Sequence, residues 1–171
     1  MKSPAKLALF EQTVLPHVNA AYNLARWLTR NDPDAEDIVQ EAYLRAFRYF
    51  DGFHGGDGKA WLLAVVRNTY LTWRRRDTDI AKVPFDEEIH GSQTPGSKLA
   101  AEAMTENVRD CLELLPPEYR EALVLRELEE MSYNDIAVVT GKPIGTVMSR
   151  LSRARQRLHD CVTARMEGAS K

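Results

Sequence analysis

The sequence is poor in cysteine, with only Cys111 and Cys161 among 171 residues. The two lie far apart and form no Cys-x-x-Cys pair, the spacing used by many zinc sites and redox motifs. Small folds that depend on disulfides carry many more cysteines. We therefore predict two reduced, structural thiols, and neither a disulfide framework nor a zinc site.

Long apolar stretches are also missing. No run approaches the roughly 20 apolar residues that a helix needs to cross a bilayer, and the first residues lack the basic-then-apolar order of a secretory signal. Apolar residues make up 44% of the chain and charged residues 28%, as in ordinary globular proteins. We expect a cytoplasmic protein that does not insert into a membrane.

Catalytic signatures are absent as well. The carboxylates of residues 34–41 have no nucleophile elbow, Gly-rich phosphate loop or His-x-x-x-His pair beside them. The histidines are scattered over different segments: His17, His54, His90 and His159. Acids in a first helical turn are explained by the helix dipole, but Gln40 and Glu41 lie beyond that turn. We expect a protein without catalytic activity, metal site or cofactor.

The chain has little net charge, because 23 Lys and Arg residues oppose 25 Asp and Glu residues. The two signs are nevertheless segregated. Acids crowd residues 32–41 and 77–88, whereas arginines cluster at residues 74–76 and 150–157. Segregated charge predicts separate acidic and basic surfaces, and therefore a protein partner as well as a nucleic acid.

Apolar residues recur every three or four positions, which is typical of amphipathic helices, and no segment alternates as a strand does. The series Leu7, Phe10, Val14, Val18, Ala21, Ala25 and Leu28 begins the chain. We expect Pro16 to kink or split this first segment. A second helix restarts at Asn31-Asp32-Pro33, with Asp32 as its N-cap. A third runs from about Lys59 to Arg76.

Between residues 77 and 98 the helical period is lost, and Pro, Gly and acidic residues predominate. The period then resumes from Leu99 and is broken again at Pro116-Pro117. The pattern therefore predicts an all-α protein. Two small helical domains, residues 1–76 and 99–171, would be joined by a flexible acidic linker, residues 77–98.

The C-terminal segment predicts a helix-turn-helix. Ser132 followed by Asp135 is a capping pattern that begins a short helix. Gly141 and Pro143 can end that helix and begin the next one. The second helix places an apolar seam of Val147, Leu151, Ala154 and Leu158 beside a polar stripe of Thr146, Arg150, Arg153 and Arg157. Because the second helix of this motif enters the major groove, we predict DNA binding.

The third predicted helix has an outer surface that combines basic, amide and aromatic side chains. They are Arg67, Asn68, Tyr70, Arg74, Arg75 and Arg76, with Trp61 and Trp73 at either end. Arginines bind phosphates, while aromatic and amide groups stack on or contact exposed bases. This favours single-stranded nucleic acid. In the alternative interpretation, both tryptophans are core residues and the arginines form a solvated helix end.

Three motifs in this order resemble the extracytoplasmic-function (ECF) sigma factors, small two-domain promoter-recognition subunits of bacterial RNA polymerase. The first is DAEDIVQEAYLRA at residues 34–46, which is similar to the polymerase-binding helix of that family. The second runs from Trp61-Leu62 through Arg67-Asn68-Thr69 to residues 74–76, like the helix for the melted minus-ten element. The third is LPPEYREA at residues 115–122 with the helix-turn-helix, like the C-terminal domain.

The resemblance implies three surfaces. The clamp helices of the largest polymerase subunit would bind Asp34, Asp37, Ile38, Gln40, Glu41 and Leu44. The minus-ten element, with one base flipped from the stack, would bind His54, Asp57, Trp61, Arg67, Asn68, Tyr70, Trp73, Arg74 and Arg75. The minus-thirty-five element would bind Lys142, Gly145, Thr146, Ser149, Arg150, Ser152, Arg153 and Arg157. The resemblance also implies an anti-sigma partner that holds the protein inactive.

Two residues depart from the family pattern. Met148 and Ser152 stand where relatives often carry Arg or an aromatic residue, so the promoter sequence cannot be carried over from them. Two other functions stay open at this point. One is a sigma-like decoy that binds an anti-sigma factor but not DNA, and the other is a helix-turn-helix regulator that acts without polymerase.

Overall fold

The computed structural model describes residues 3–80 and 105–168, and every regular element within these ranges is helical. The prediction of an all-α protein is therefore confirmed. The chain divides into two compact units, Met1–Gln93 and Thr94–Lys171. Most of the predicted linker, and the predicted restart of the helical period at Leu99, lie outside the described residues.

The described residues of the N-terminal unit, 3–80, form four helices. They are α1 (Pro4–Val14), α2 (Val18–Thr29), α3 (Asp32–Tyr49) and α4 (Gly58–Ile80). Single 3-10 turns, Leu15–His17 and Phe50–Gly52, follow α1 and α3. Pro16 lies in the first of these turns, so the predicted split of the N-terminal segment is confirmed. α4 continues to Ile80, beyond the predicted end at Arg76.

The core of the N-terminal unit lies where α4 packs against α2 and α3, through buried residues such as Leu24, Ile38 and Leu62. α1 contributes Phe10 and Val14. Leu7 and Val18, which belong to the predicted apolar series, are instead exposed. Helical periodicity places residues on a face but does not say how far the neighbouring helices extend over it.

The start of α3 differs from the prediction. Asn31 is the N-cap, and its side-chain oxygen accepts a hydrogen bond from the backbone N–H of Asp34 at 3.1 Å. Asp32 is buried, and its carboxylate accepts a bond of 2.6 Å from Nε of Arg26 on α2. A buried carboxylate is stabilised more by a guanidinium than by a helix end, so the adjacent amide takes over the cap.

The C-terminal unit contains α5 (Glu106–Leu114), α6 (Pro117–Leu123), α7 (Tyr133–Thr140) and α8 (Ile144–Gly168). A π-helical turn, Val124–Leu128, follows α6. The predicted break at Pro116-Pro117 is confirmed, because α6 begins at Pro117. Leu125, Ile136 and Leu151 are fully buried and form the centre of this unit.

The prediction of reduced thiols is wrong for this structure. Cys111 on α5 and Cys161 on α8 form a disulfide, although 50 positions separate them in the sequence. α5 packs beside α8, which brings their Cα atoms to 5.8 Å, a distance that a disulfide can bridge. Cysteine spacing carries no information about this helix contact.

Candidate nucleic-acid interface

The turn between α7 and α8 has the geometry of a helix-turn-helix. Ser132 caps α7 by accepting a hydrogen bond from the N–H of Asp135 at 3.1 Å. Gly141 ends α7 with a positive φ of 66°, and its N–H donates to the carbonyl of Ala137 at 2.9 Å. Since L side chains rarely adopt this backbone conformation, a glycine suits the position.

α8 has one buried and one exposed face, as predicted. Val147, Leu151 and Ala154 are buried, whereas Leu158 is only half-buried. Most of the predicted DNA-binding residues of this segment are exposed: Lys142, Gly145, Ser149, Ser152, Arg153 and Arg157. Thr146 and Arg150 are half-buried. The structure therefore brings this set together along α8 and the turn that precedes it.

The two arginines that follow Ala154 are held by other helices. The guanidinium of Arg157 lies 4.9 Å from the ring centre of Tyr119, on α6, in a cation–π arrangement. Arg155 donates a bond of 3.0 Å to Glu127, and its side-chain bonds to Glu127 and Tyr133 raise its pKa. These contacts tie the middle of α8 to the preceding helices.

Arg126 positions the start of α7, a role that the sequence analysis missed. Its guanidinium lies 4.9 Å from the ring centre of Tyr133, and Nη1 donates to the carbonyl of Met131 at 2.8 Å. The residue therefore fixes the chain just before and just after the Ser132 cap. An arginine beside a short loop is too common a feature to predict this contact.

The outer face of α8 carries few long polar side chains near its start. Met148 is 52% exposed, and Ser149 and Ser152 are its exposed neighbours along the helix. The hydroxyl of Ser149 donates to the carbonyl of Thr146 at 3.0 Å. Arg153 is thus the first long cationic side chain in the exposed part of this face.

α4 presents a narrower surface than predicted. Asn68 and Arg75 are exposed and lie two turns apart, so they share one face. Arg74 is exposed on a neighbouring face, and Arg67 is half-buried. Tyr70 is only 7% exposed, so its predicted place on the outer surface is wrong.

The tryptophans of α4 are half-buried and pack against other rings. Trp73 stacks on Tyr70 at a ring-centre distance of 6.2 Å. Trp61 lies 5.3 Å from Phe53 and 5.9 Å from Phe50, at the edge of an aromatic cluster that also includes Phe10 and Phe47. The alternative interpretation, in which the tryptophans serve the core, therefore describes their inner edges correctly.

The loop before α4 contains the two remaining residues of the minus-ten prediction. His54 is exposed. The carboxylate of Asp57 accepts the N–H groups of Lys59 and Ala60 at 2.9 and 3.3 Å, so Asp57 is the N-cap of α4. Its predicted contact with DNA has no support in this geometry, since the carboxylate is already engaged and would repel phosphate.

α3 carries a separate, acidic face. Asp37, Gln40, Glu41 and Leu44 are exposed and recur at helical spacing, so they form one surface, which we call the α3 face. Leu44 is 65% exposed, a large apolar side chain among polar ones. Ile38 is 1% exposed and lies in the core, so the predicted contact of its side chain with a partner is wrong.

Asp34 lies half-buried at the start of the α3 face. Burial raises the pKa of its carboxyl group, and the nearby carboxylates of Asp37 and Asp77 raise it further. Asp77 belongs to α4, so two helices bring like charges together here. Such crowded acids cost stability within the domain and suit a cationic partner.

The described residues lack two further kinds of feature, a membrane-spanning helix and a metal-binding cluster. None of their helices is both long and apolar enough to cross a bilayer. No group of three or more His, Cys, Asp or Glu side chains in these ranges is arranged to hold a metal ion.

Two protein-family models match the chain. Sigma-70 region 2 matches residues 13–79, and Sigma-70 region 4 matches residues 105–158. The first includes α2 to α4, and the second includes the helix-turn-helix.

Curated relatives match over most of this chain. The ECF RNA polymerase sigma factor SigE of Mycolicibacterium smegmatis is 33% identical over 91% of the chain, which spans 62% of that relative. The ECF RNA polymerase sigma-E factor of Haemophilus influenzae is 32% identical over 80% of the chain and 78% of its own length. A solved structure of the sigma factor RpoE with the anti-sigma factor NepR from Bartonella quintana has a TM-score of 0.69 and 29% identity. It covers 90% of this chain and 96% of that one.

Proposed function

Because the chain belongs to the ECF RNA polymerase sigma factors, we propose that it directs core RNA polymerase to a small set of promoters. The observation that carries this proposal is the helix-turn-helix of the C-terminal unit. There α8 buries an apolar seam and leaves Ser149 and Arg153 exposed for DNA, and Lys142 is exposed in the turn before it. In this proposal the protein acts in the cytoplasm and has no catalytic activity.

The α3 face is the proposed polymerase-binding surface. It combines the exposed carboxylates of Asp37 and Glu41 with the exposed side chain of Leu44. An acidic surface with one apolar side chain suits a basic helical partner, here the clamp helices of the largest polymerase subunit. Gln40 completes this surface and Asp34 extends it, whereas Ile38 supports it from the core.

The outer face of α4 is the proposed surface for the melted minus-ten element. Asn68 offers an amide for a base edge, and Arg75 on the same face offers a cation for phosphate. His54 in the preceding loop and the exposed edge of Trp61 are further contacts. Flipping a base costs a few kcal/mol of stacking, which these contacts would offset.

The exposed face of α8 is the proposed surface for the duplex minus-thirty-five element. In this proposal the exposed Ser149, Ser152 and Arg153 approach base edges, while Lys142 of the preceding turn and the half-buried Arg150 hold phosphates. Arg157 would contact the DNA backbone from its position over the ring of Tyr119. With Met148 and small serines before it, Arg153 is the main candidate for reading a guanine.

We further propose regulation by an anti-sigma factor. The solved relative named above was crystallised with such a partner. The α3 face is acidic and carries the exposed Leu44, whereas the exposed face of α8 is basic and carries the exposed Met148. A protein that covers both faces would prevent both polymerase binding and promoter binding.

The test is transcription in vitro with core polymerase and a library of promoter sequences. The expected result is promoter-specific transcripts that depend on the added chain. Leu44→Ser is expected to weaken holoenzyme assembly. Tyr49→Ser is the matched control, because Tyr49 is equally exposed on another face of the same helix. The absence of any promoter-specific transcript across the library would refute the proposal.

The same proteins separate the alternatives. A sigma factor binds promoters well only with core polymerase, whereas a stand-alone regulator shifts duplex DNA by itself. A gel shift with and without core enzyme therefore distinguishes them. A decoy would bind its protein partner but would not cross-link to promoter DNA in any mixture.

A further inference from the structure

The disulfide between Cys111 and Cys161 is not used by any of the proposed contacts with DNA or polymerase. It joins α5 to α8 within the C-terminal unit. Cys111 is completely buried, whereas Cys161 is half-buried and lies in the part of α8 that follows its buried seam. The bond therefore joins a fully buried cysteine to a partly exposed one.

The compartment makes this bond informative. If the protein works beside RNA polymerase, as proposed above, it meets the thiol pools of the cytoplasm. Glutathione and thioredoxin keep most thiols reduced there, and disulfides that do form are usually transient and either catalytic or redox-sensing. A disulfide in this place is therefore expected to open and close.

We propose that Cys111 and Cys161 form a reversible thiol–disulfide switch that fixes or releases the last turns of α8. The inference depends on the proposed function only for the compartment. The geometry of the two helices is independent of it.

The two halves of α8 differ in how they are held. The first half is anchored by the buried side chains of Val147, Leu151 and Ala154, and no later residue of α8 is buried in the described structure. Beyond Cys161, the contact with α5 includes the ion pair between Arg165 and Asp110, 2.9 Å apart and exposed. Exposed ion pairs stabilise weakly, so the disulfide is expected to be the stronger of these two ties.

The chemistry needs only a low-molecular-weight disulfide such as glutathione disulfide as the oxidant. The Cys161 thiolate attacks one of its sulfurs, so a mixed disulfide forms and one glutathione thiolate leaves. Cys111 then loses its proton, and its sulfur attacks the sulfur of Cys161, releasing the second glutathione. Two protein S–H bonds are lost, one S–S bond forms, and one glutathione disulfide becomes two glutathiones. Excess glutathione reverses both steps.

The released segment also shapes a groove. Leu158, Val162 and Met166 recur every four residues along α8 and line one wall of an apolar groove of about 560 Å³. Leu123 on α6 and Glu127 also line this groove. Because Val162 and Met166 follow Cys161, reduction is expected to loosen this wall while the recognition half keeps its seam.

The test is hydrogen exchange of the full chain equilibrated with glutathione disulfide or with glutathione, with thiols counted by alkylation and mass spectrometry. Glutathione disulfide is expected to give a protein without free thiols, and glutathione one with two. Amides of residues 159–168 are expected to exchange at least about ten times faster in the reduced protein. Amides of residues 147–154 are expected to stay protected in both states.

The variants Cys111→Ser and Cys161→Ser provide the controls, because each should show the fast amide exchange of the reduced protein at residues 159–168 with either reagent. Arg165→Ala should loosen the same end far less than reduction does. Three results would overturn the proposal: a reaction that stops at the mixed disulfide, equal exchange of residues 159–168 in both states, or loss of protection throughout the unit on reduction. None of these readouts involves DNA or polymerase, so their failure is distinct from failure of the proposed function.

Discussion

The long helices α4 and α8, of 23 and 25 residues, are both proposed to bind nucleic acid while packing on a core. They differ in how the residues for these two roles are distributed. α8 separates the two tasks, with Leu151 buried and Arg153 exposed only two positions away. α4 mixes them, since Tyr70 and Trp73 stack on each other where the sequence predicts a binding surface.

The difference shows when a helical pattern can be interpreted from sequence. On α8, apolar and charged side chains lie on different faces of the helix. Apolar side chains are favourable only in the core and charged ones only in solvent or at a charged ligand. On α4, aromatic rings can pack in a core and also present an edge to a ligand. Their role is decided by the rings that the neighbouring helices supply, here Phe50 and Phe53 for Trp61.

The largest expected effect is a loss of stability in α4, and it tests whether Tyr70 serves the core or the binding surface. Tyr70→Ala should lower the free energy of unfolding of the N-terminal unit by about 3 kcal/mol, because it empties a packed site. Chemical denaturation measures this loss. Tyr70→Phe keeps the ring and should cost little while leaving promoter binding intact. A stable Tyr70→Ala protein with impaired DNA binding would restore Tyr70 to the interface.

The next effect concerns α8. Arg153→Ala should leave stability unchanged, because the side chain is exposed, but should cost about 1–3 kcal/mol in holoenzyme binding to its promoter. If Arg153 reads a base, selectivity relaxes at one position of the minus-thirty-five element. Arg155→Ala is the matched control, since Arg155 is paired with Glu127. A uniform loss over all sequences would mean that Arg153 holds phosphate only.

The C-terminal ends of the two helices also differ in charge environment. Arg165 of α8 faces Asp110, an attractive pair, whereas Asp77 of α4 adds to the repulsion around Asp34. Arg165→Ala should therefore lower the stability of the C-terminal unit by about 0.2–1 kcal/mol, the range for exposed ion pairs. The loss should shrink at high salt. A salt-independent loss would indicate that packing of the side chain, rather than its charge, stabilises the helix end.

The smallest expected effect concerns Asp34 at the start of α3. Because the pKa of the Asp34 carboxyl group is raised in the folded protein, the folded protein binds this proton more tightly than the unfolded chain does. The carboxyl group therefore costs stability as the pH rises from the usual pKa of 3.8 through the raised value. Asp34→Asn should stabilise the unit at neutral pH by about 0.2–0.5 kcal/mol, since solvent screens the group and the helix dipole opposes the gain.

This gain should vanish below the usual pKa of 3.8, where the Asp34 carboxyl group is protonated, or nearly so, in both the folded and the unfolded wild-type protein. Thermal melts of both proteins across the acid range measure it. Glu36→Gln, an exposed acid in the same turn, is the control and should give no gain. An unchanged or lower melting temperature for Asp34→Asn at neutral pH would show that the dipole outweighs the repulsion.

Much of the fold could be predicted from the sequence because it depends on local signals. Pro16 splits the first segment, Gly141 ends α7, and Pro117 begins α6, each through the backbone angles that it favours or restricts. The seam of α8 follows from period alone. Where two neighbouring residues could serve the same role, as Asn31 and Asp32 could, the local signal did not decide between them.

The candidate site was predictable in its surfaces and less so in its members. The exposed α3 face follows from residues at helical spacing, but the family motif also includes Ile38, which the same spacing assigns to the inner face and which lies in the core. The family resemblance assigns Asp57 to the DNA-binding residues, whereas in the structure its carboxylate caps α4. The role of Arg126 depends on Tyr133 and Met131, which only the folded turn brings to it.

By itself, the sequence determined that this protein is helical, that its acidic and basic segments lie apart, and that its last helix has a polar face. These properties depend on backbone preferences and on periods of a few residues. Only the tertiary structure decided which rings of α4 serve the core, that Asp32 pairs with Arg26, and that Cys111 meets Cys161. Such contacts join residues on different helices, and their distances depend on how the helices pack.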